Sequence, residues 1–217
     1  RPYLGVAVQP LTAELRREFG IELGQGALVS QTFASSPAQK AGLQPGDVIL
    51  DINGVAVDSG VALQGIVERL EIDADCQVQV LRNGERVTVP VHLEAMPTEF
   101  AGVPAPRSAE RPRGKAPETT SSDLLGLAVA ELTAEIRQQL ELGDDVAGVV
   151  VTEVAEGGPA ADKGVSRGDV IQRVGTTPVA SVAEFDAAVA KAAGQNSILL
   201  LLRQGAGTRF VVISPRK

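Results

Sequence analysis

The chain has 217 residues, 44% hydrophobic and 22% charged, a balance that fits a folded globular protein and excludes disordered and fibrous classes. The formal net charge is −7, and no stripe of Lys and Arg is interleaved with aromatics, so nucleic acid is not an expected partner. The longest aliphatic run, residues 198–202, falls far short of the roughly 18–20 residues that cross a bilayer, so no membrane span is expected.

Arg1-Pro2-Tyr3-Leu4 reads as the start of a strand over 3–9, without a charged-then-apolar leader. Any signal peptide is therefore expected to have been removed. A short helix follows over 12–19, then a strand over 27–33. Pro37 opens a helical turn that Gly42 ends, in keeping with the preference for Pro at the first helical position and Gly past the last. The next strand, 47–52, closes on the turn Asn53-Gly54. Over 59–70, Leu63, Ile66, Val67 and Leu70 recur at helical spacing behind Ser59, a fitting N-cap. Strands over 77–81 and 86–93 alternate around Asn83-Gly84, a strong signal for a two-residue hairpin turn. Cys76, the single cysteine, excludes an internal disulfide and reads as a small hydrophobe at the start of a strand. His92, the single histidine, reads as a solvent-facing strand residue.

The same sequence then repeats. Leu11-Thr12-Ala13-Glu14-Leu15 is echoed by Leu132-Thr133-Ala134-Glu135-Ile136, and Leu4-Gly5 by Leu125-Gly126. Ser36-Pro37-Ala38 to Gly42 matches Gly158-Pro159-Ala160 to Gly164, and Gly46-Asp47-Val48-Ile49 matches Gly168-Asp169-Val170-Ile171. One ordered copy of this length implies a duplicated domain rather than a solenoid of short units. The expected division is a first domain over 1–96, a Pro-rich flexible linker over 97–122 and a second domain over 123–217. The linker carries Pro97, Pro104, Pro106, Pro112 and Pro117 and as a flexible chain would span roughly 25–30 Å. In the second copy the main helix runs over 181–193, where Ser181 and Glu184 have capping-box spacing, and strands follow over 197–203 and 208–213. Each domain is expected to be mainly β with α, a partly open small barrel flanked by one main helix and short helices.

Tyr3-Leu4-Gly5-Val6, Ser36-Pro37-Ala38, Ala41-Gly42-Leu43 and Gln44-Pro45-Gly46-Asp47-Val48-Ile49 followed by Ile52-Asn53-Gly54 together resemble bacterial PDZ domains. With a second copy downstream, the chain is similar to the carboxy-terminal half of the HtrA (Deg/Do) family of periplasmic serine proteases. The second copy departs from the pattern where Val174-Gly175-Thr176-Thr177 replaces Ile52-Asn53-Gly54-Val55 and Arg167-Gly168 replaces Pro45-Gly46.

A module of this kind binds by letting an extended peptide pair with an exposed strand edge beside a helix. The turn of Tyr3, Leu4, Gly5 and Val6 is expected to aim successive N–H groups at a terminal carboxylate, with Val8 further along the strand. Leu124, Leu125, Gly126 and Leu127 form the counterpart. The resemblance implies that Leu63 and Val67 face the groove while Ile66 packs into the core, and that Phe185 and Val189 take the matching places, the bulkier Phe185 reshaping its pocket. It further implies a periplasmic, DegP-like quality-control role. The expected partners are unfolded or C-terminal peptides of envelope proteins, together with a protease domain of the same chain. The alternative is a tandem adaptor with no protease.

No catalytic residue is expected in this chain. Asp58-Ser59-Gly60 is flanked by Val57 and Val61 where a trypsin-like nucleophile needs glycines, and His92 has no fitting Asp and Ser for a triad. Asp73 with Asp75, and Asp144 with Asp145, lack the glycine and closing glutamate of a calcium loop, so neither a metal nor a cofactor is expected.

Overall fold

In the computed structural model, which describes residues 1–97 and 119–215, the chain divides into two units, Arg1–Ala105 and Pro106–Lys217. In the first, β1 (Pro2–Tyr3) and β2 (Val6–Gln9) precede α1 (Ala13–Phe19), β3 (Ala27–Thr32) and α2 (Pro37–Ala41). Then come β4 (Val48–Ile52), β5 (Val55–Ala56), α3 (Gly60–Arg69), β6 (Asp75–Arg82), β7 (Glu85–His92) and β8 (Glu94–Ala95). The strands form an open antiparallel sheet in the order β2-β3-β4-β6-β7 with β5 beside β4, plus a small pair of β1 with β8.

The sequence implies one strand over 3–9, but the structure breaks it at Leu4-Gly5. Gly5 has φ +82°, a left-handed conformation that ends an extended run. Residues before the break pair with β8 and residues after it pair with β3.

The second unit holds β9 (Thr119–Ser122), β10 (Leu127–Glu131), α4 (Ala134–Gln139), β11 (Val149–Val154) and α5 (Pro159–Asp162). It continues with β12 (Val170–Val174), β13 (Thr177–Pro178), α6 (Val182–Ala192), β14 (Ile198–Gln204) and β15 (Gly207–Ile213). Its sheet runs β15-β14-β12-β11-β10-β9, with β13 beside β12. Neither sheet closes into a full barrel, so the architecture is the mixed α+β one expected. Of the segment assigned to the linker, 98–118 lies outside the described residues, and 119–122 is β9.

The repeated motifs do the same local work twice. Thr12 Oγ1 accepts from the Leu15 N–H and Thr133 Oγ1 from the Ile136 N–H, both at 3.3 Å, so each starts a helix. Ser59 and Ser181 cap α3 and α6 by accepting from Ala62 and Glu184 N–H at 3.2 Å. Glu184 reaches back to the Ala180 N–H at 2.7 Å, one residue before the N–H that a capping box uses. Even irregularities recur, with register shifts at Ala7/Val8 and again at Ala128/Val129.

The two repeated aspartates are structural. Asp47 is 1% exposed and accepts from the Gln44 N–H at 2.9 Å and from Arg82 Nε and Nη2 at 2.7 Å each. This bidentate bond keeps Arg82 charged and raises its pKa, outweighing partial burial. Asp169 accepts from the Ser166 N–H at 2.8 Å and from Gln204 Nε2 at 2.7 Å, and Arg209 Nε donates to Gln204 Oε1 at 2.7 Å. Where Arg82 bonds Asp47, the second unit thus places the Gln204 amide on Asp169, with Arg209 behind it.

Cys76 is buried in the first core, where burial and the neighbouring Asp75 both push its thiol pKa up. It packs as the small hydrophobe expected. His92 is exposed, with Nδ1 2.8 Å from Asp75 Oδ1.

Candidate functional site

The predicted residues of the first unit come together along β2. At the break before it, the Leu4 carbonyl accepts from the Ala38 N–H at 2.8 Å, and the Gly5 carbonyl accepts from the Phe33 N–H at 3.0 Å and Ser36 Oγ at 3.1 Å. With both carbonyls held by the fold, the N–H groups of Leu4 and Gly5 find no acceptor among the described residues. A Cβ on Gly5 would lie 2.1 Å from Ser36 Cβ, so only glycine fits this turn. Tyr3 lies beside it, and burial pushes its phenol pKa up.

Among the described residues, strand β2 is the terminal strand of its sheet and pairs with β3 alone. Antiparallel residues alternate between bonding the neighbour and pointing away from it. Because Phe33 bonds the Gly5 carbonyl, Val6 turns its own N–H and C=O to the open edge. Val6 and Val8 are partly buried against the core.

The helix beside this edge is α3. A Cβ on Gly60 would stand 2.7 Å from Val8 Cγ2, so the first turn of α3 sits against β2. Leu63, Gln64 and Val67 follow Gly60 at the three- and four-residue spacings that share a helix face. Leu63 and Val67 lie on that face but are themselves core, 4% and 6% exposed, whereas Gln64 is exposed. Ile66, expected inside, is only partly buried at the core margin. Leu63 and Val67 thus belong to the first core, and the α3 residue against β2 that sequence reasoning missed is Gly60. The available signal for Gly60 was a glycine at a first helical position.

In the second unit the same turn is built again and put to a different use. Leu125 and Gly126 carbonyls accept from Ala160 N–H at 3.2 Å and Ala155 N–H at 2.8 Å. Gly126 has φ +67°, and its Cβ would lie 3.2 Å from Pro159 Cδ. Here, however, the N–H groups of Leu125 and Gly126 both donate to the Ser122 carbonyl, at 3.2 and 2.9 Å. Strand β9 pairs with β10 on the side opposite β11 and also lies against α6.

Leu127 is buried and Leu124 partly buried against the core. Phe185 is fully buried, among the largest side chains of the second core, with Val189 beside it at 5% exposed. Phe185 and Val189 thus belong to the second core, as Leu63 and Val67 belong to the first. The N-terminus of α6 is tied to the end of β10 by the Val182 N–H, which donates to Glu131 Oε1 at 2.8 Å.

A family profile described as PDZ domain matches residues 2–93 and again 124–212. A probable periplasmic serine endoprotease, DegP-like, of Pseudomonas putida (strain W619) is 38% identical over 210 residues, covering 94% of this chain and 41% of the relative. Its counterpart in Chlamydia trachomatis serovar D is 34% identical, covering 98% of this chain and 39% of that protein. Among solved structures, an HtrA-type protease AlgW with decapeptide is 34% identical over 45% of this chain and 30% of that one, with TM-score 0.41. The chain spans about two fifths of the length of these curated relatives, 41% and 39%. Two matched segments, each with its own sheet, capped main helix and glycine turn, establish that the chain belongs to the PDZ domain family, as a tandem of two such domains.

Proposed function

We propose that the first domain captures extended peptides or free C-termini by adding them as a strand to β2, beside α3. The observation that carries this reading is the open edge of β2, headed by the two N–H groups of Leu4 and Gly5 that have no acceptor among the described residues. Main-chain hydrogen bonds supply affinity and tolerate many sequences, and the paired N–H groups suit a carboxylate without a formal charge. The DegP-like relatives, named as periplasmic endoproteases, support a wider role. In that role the tandem is a periplasmic regulatory region that recognises unfolded or C-terminal segments of envelope proteins. It governs cleavage by a protease domain and has no catalytic residue of its own.

The test is a titration of the full chain with a pool of random hexapeptides ending in Val or Phe, prepared with free or amidated C-termini. The free-acid pool should bind in the micromolar range, where 1 μM corresponds to about −8 kcal/mol, and amidation should weaken it. Equal binding of both pools would remove the carboxylate role, and no binding of either would remove the reading.

A further inference from the structure

Strand β9 lies where the proposed reading puts a ligand. Its residues pair antiparallel with β10 in the register Ser122 with Leu127, Ser121 with Ala128, Thr120 with Val129 and Thr119 with Ala130. Because Ala155 bonds the Gly126 carbonyl, Leu127 turns its N–H and C=O toward β9, as Val6 turns its own to the open edge of β2. The end of β9 sits at the glycine turn, where the Ser122 carbonyl takes the N–H groups of Leu125 and Gly126. These are the counterparts of the Leu4 and Gly5 groups proposed for a carboxylate. On its other flank β9 meets α6. All three elements of a strand-addition site, edge, turn and helix, are therefore engaged by the chain's own backbone.

We propose that β9 is a built-in occupant of the second domain's groove, which opens to an external peptide only when Thr119–Ser122 is displaced. This rests on the strand-addition reading of the first domain and adds regulation to it. The energetics favour self-occupancy. A strand joined to β10 through residues 123–126 acts at an effective concentration of order millimolar, so a free peptide at micromolar concentration competes poorly. The apparent affinity of the second groove falls by the fraction of molecules in which β9 is detached. The pairing is backbone-mediated, so it can be released without dismantling the domain.

The test uses the full chain and its double variant Thr120→Pro with Ser121→Pro. Successive strand residues alternate in direction, so one of the two prolines removes an N–H aimed at β10. Amide hydrogen exchange is read first, with no ligand. In the parent chain the Leu127 and Val129 amides should exchange at least about tenfold more slowly than those of Val6 and Val8. In the variant they should approach the Val6 and Val8 rates, while Val149–Val151 amides stay protected. Leu127 and Val129 exchanging as fast as Val6 and Val8 in the parent would overturn the proposal.

The free-acid hexapeptide pool is then added, with amide chemical shifts as readout. Shifts should be confined to the first domain in the parent and appear along β10 as well in the variant. Shifts along β10 in the parent, or their absence in a variant whose first domain still responds, would show β9 to be an ordinary structural strand and overturn the gating. If neither domain responds in either protein while β10 keeps its protection, the peptide-binding reading fails and the occupancy stands without a gating role.

Discussion

The two domains share their glycine turns, the caps of their first and main helices and a register shift, yet among the described residues one leaves its edge strand open and the other covers it with four residues of its own chain. The difference does not lie in the repeated motifs. Leu4-Gly5 and Leu125-Gly126 hold their carbonyls in the same way, to Ala38 and Phe33 in one case and to Ala160 and Ala155 in the other. It lies in what precedes the turn. Pro2–Tyr3 runs off to pair with Glu94–Ala95, whereas Thr119–Ser122 folds back along β10. The two copies thus share the turn that holds these carbonyls and differ in the segment that leads into it.

The largest expected effects test whether both main helices bury their apolar face. Phe185→Ala should cost the second domain about 3–5 kcal/mol, and Leu63→Ala about 2–5 kcal/mol in the first, measured by denaturant unfolding. A loss near zero at Phe185 would contradict its place in the second core and break the likeness of the two main helices.

The glycine turns should differ in tolerance. Gly5→Val combines the cost of a left-handed residue with overpacking against Ser36, together about 3 kcal/mol. Gly126→Val faces only its 3.2 Å contact with Pro159 Cδ, so about 1–2 kcal/mol from backbone conformation dominates. Equal losses would mean that the turns are built more alike than their contacts indicate. The arginine supports should differ less. Arg82→Ala strips a buried carboxylate of a bidentate partner and should cost about 1.5–3 kcal/mol. Arg209→Ala removes bonds to Gln204 Oε1 and to the Lys163 and Gly164 carbonyls but leaves Asp169 its bond from Gln204, so it should cost less, about 1–1.5 kcal/mol. Thermal melts of the full chain and both variants check the order.

Much of the fold was legible because local chemistry announces itself. Thr12 and Ser59 stand just before apolar helical periods, Pro37 and Gly42 bracket a helix, and Asn83-Gly84 takes the positive φ values, 51° and 81°, of a tight hairpin turn. The strand break at Gly5 was hidden because alternation runs on across it. Helical spacing revealed the stripe of Leu63, Val67, Phe185 and Val189 but not its neighbour, since a face that meets core and a face that meets ligand have the same period. Strand β9 left no trace at all. Thr119-Thr120-Ser121-Ser122 has no hydrophobic alternation, and it is held by backbone groups that every residue carries.

The division of labour between the domains is tested most directly by following Val6, Val8, Leu127 and Val129 amide resonances in one sample as the free-acid hexapeptide pool is added to the full chain. The account predicts that Val6 and Val8 move at micromolar peptide, together with Leu4 and Gly5, while Leu127 and Val129 stay in place. Movement of Leu127 and Val129 at the same or lower concentration, with Val6 and Val8 unmoved, would contradict it.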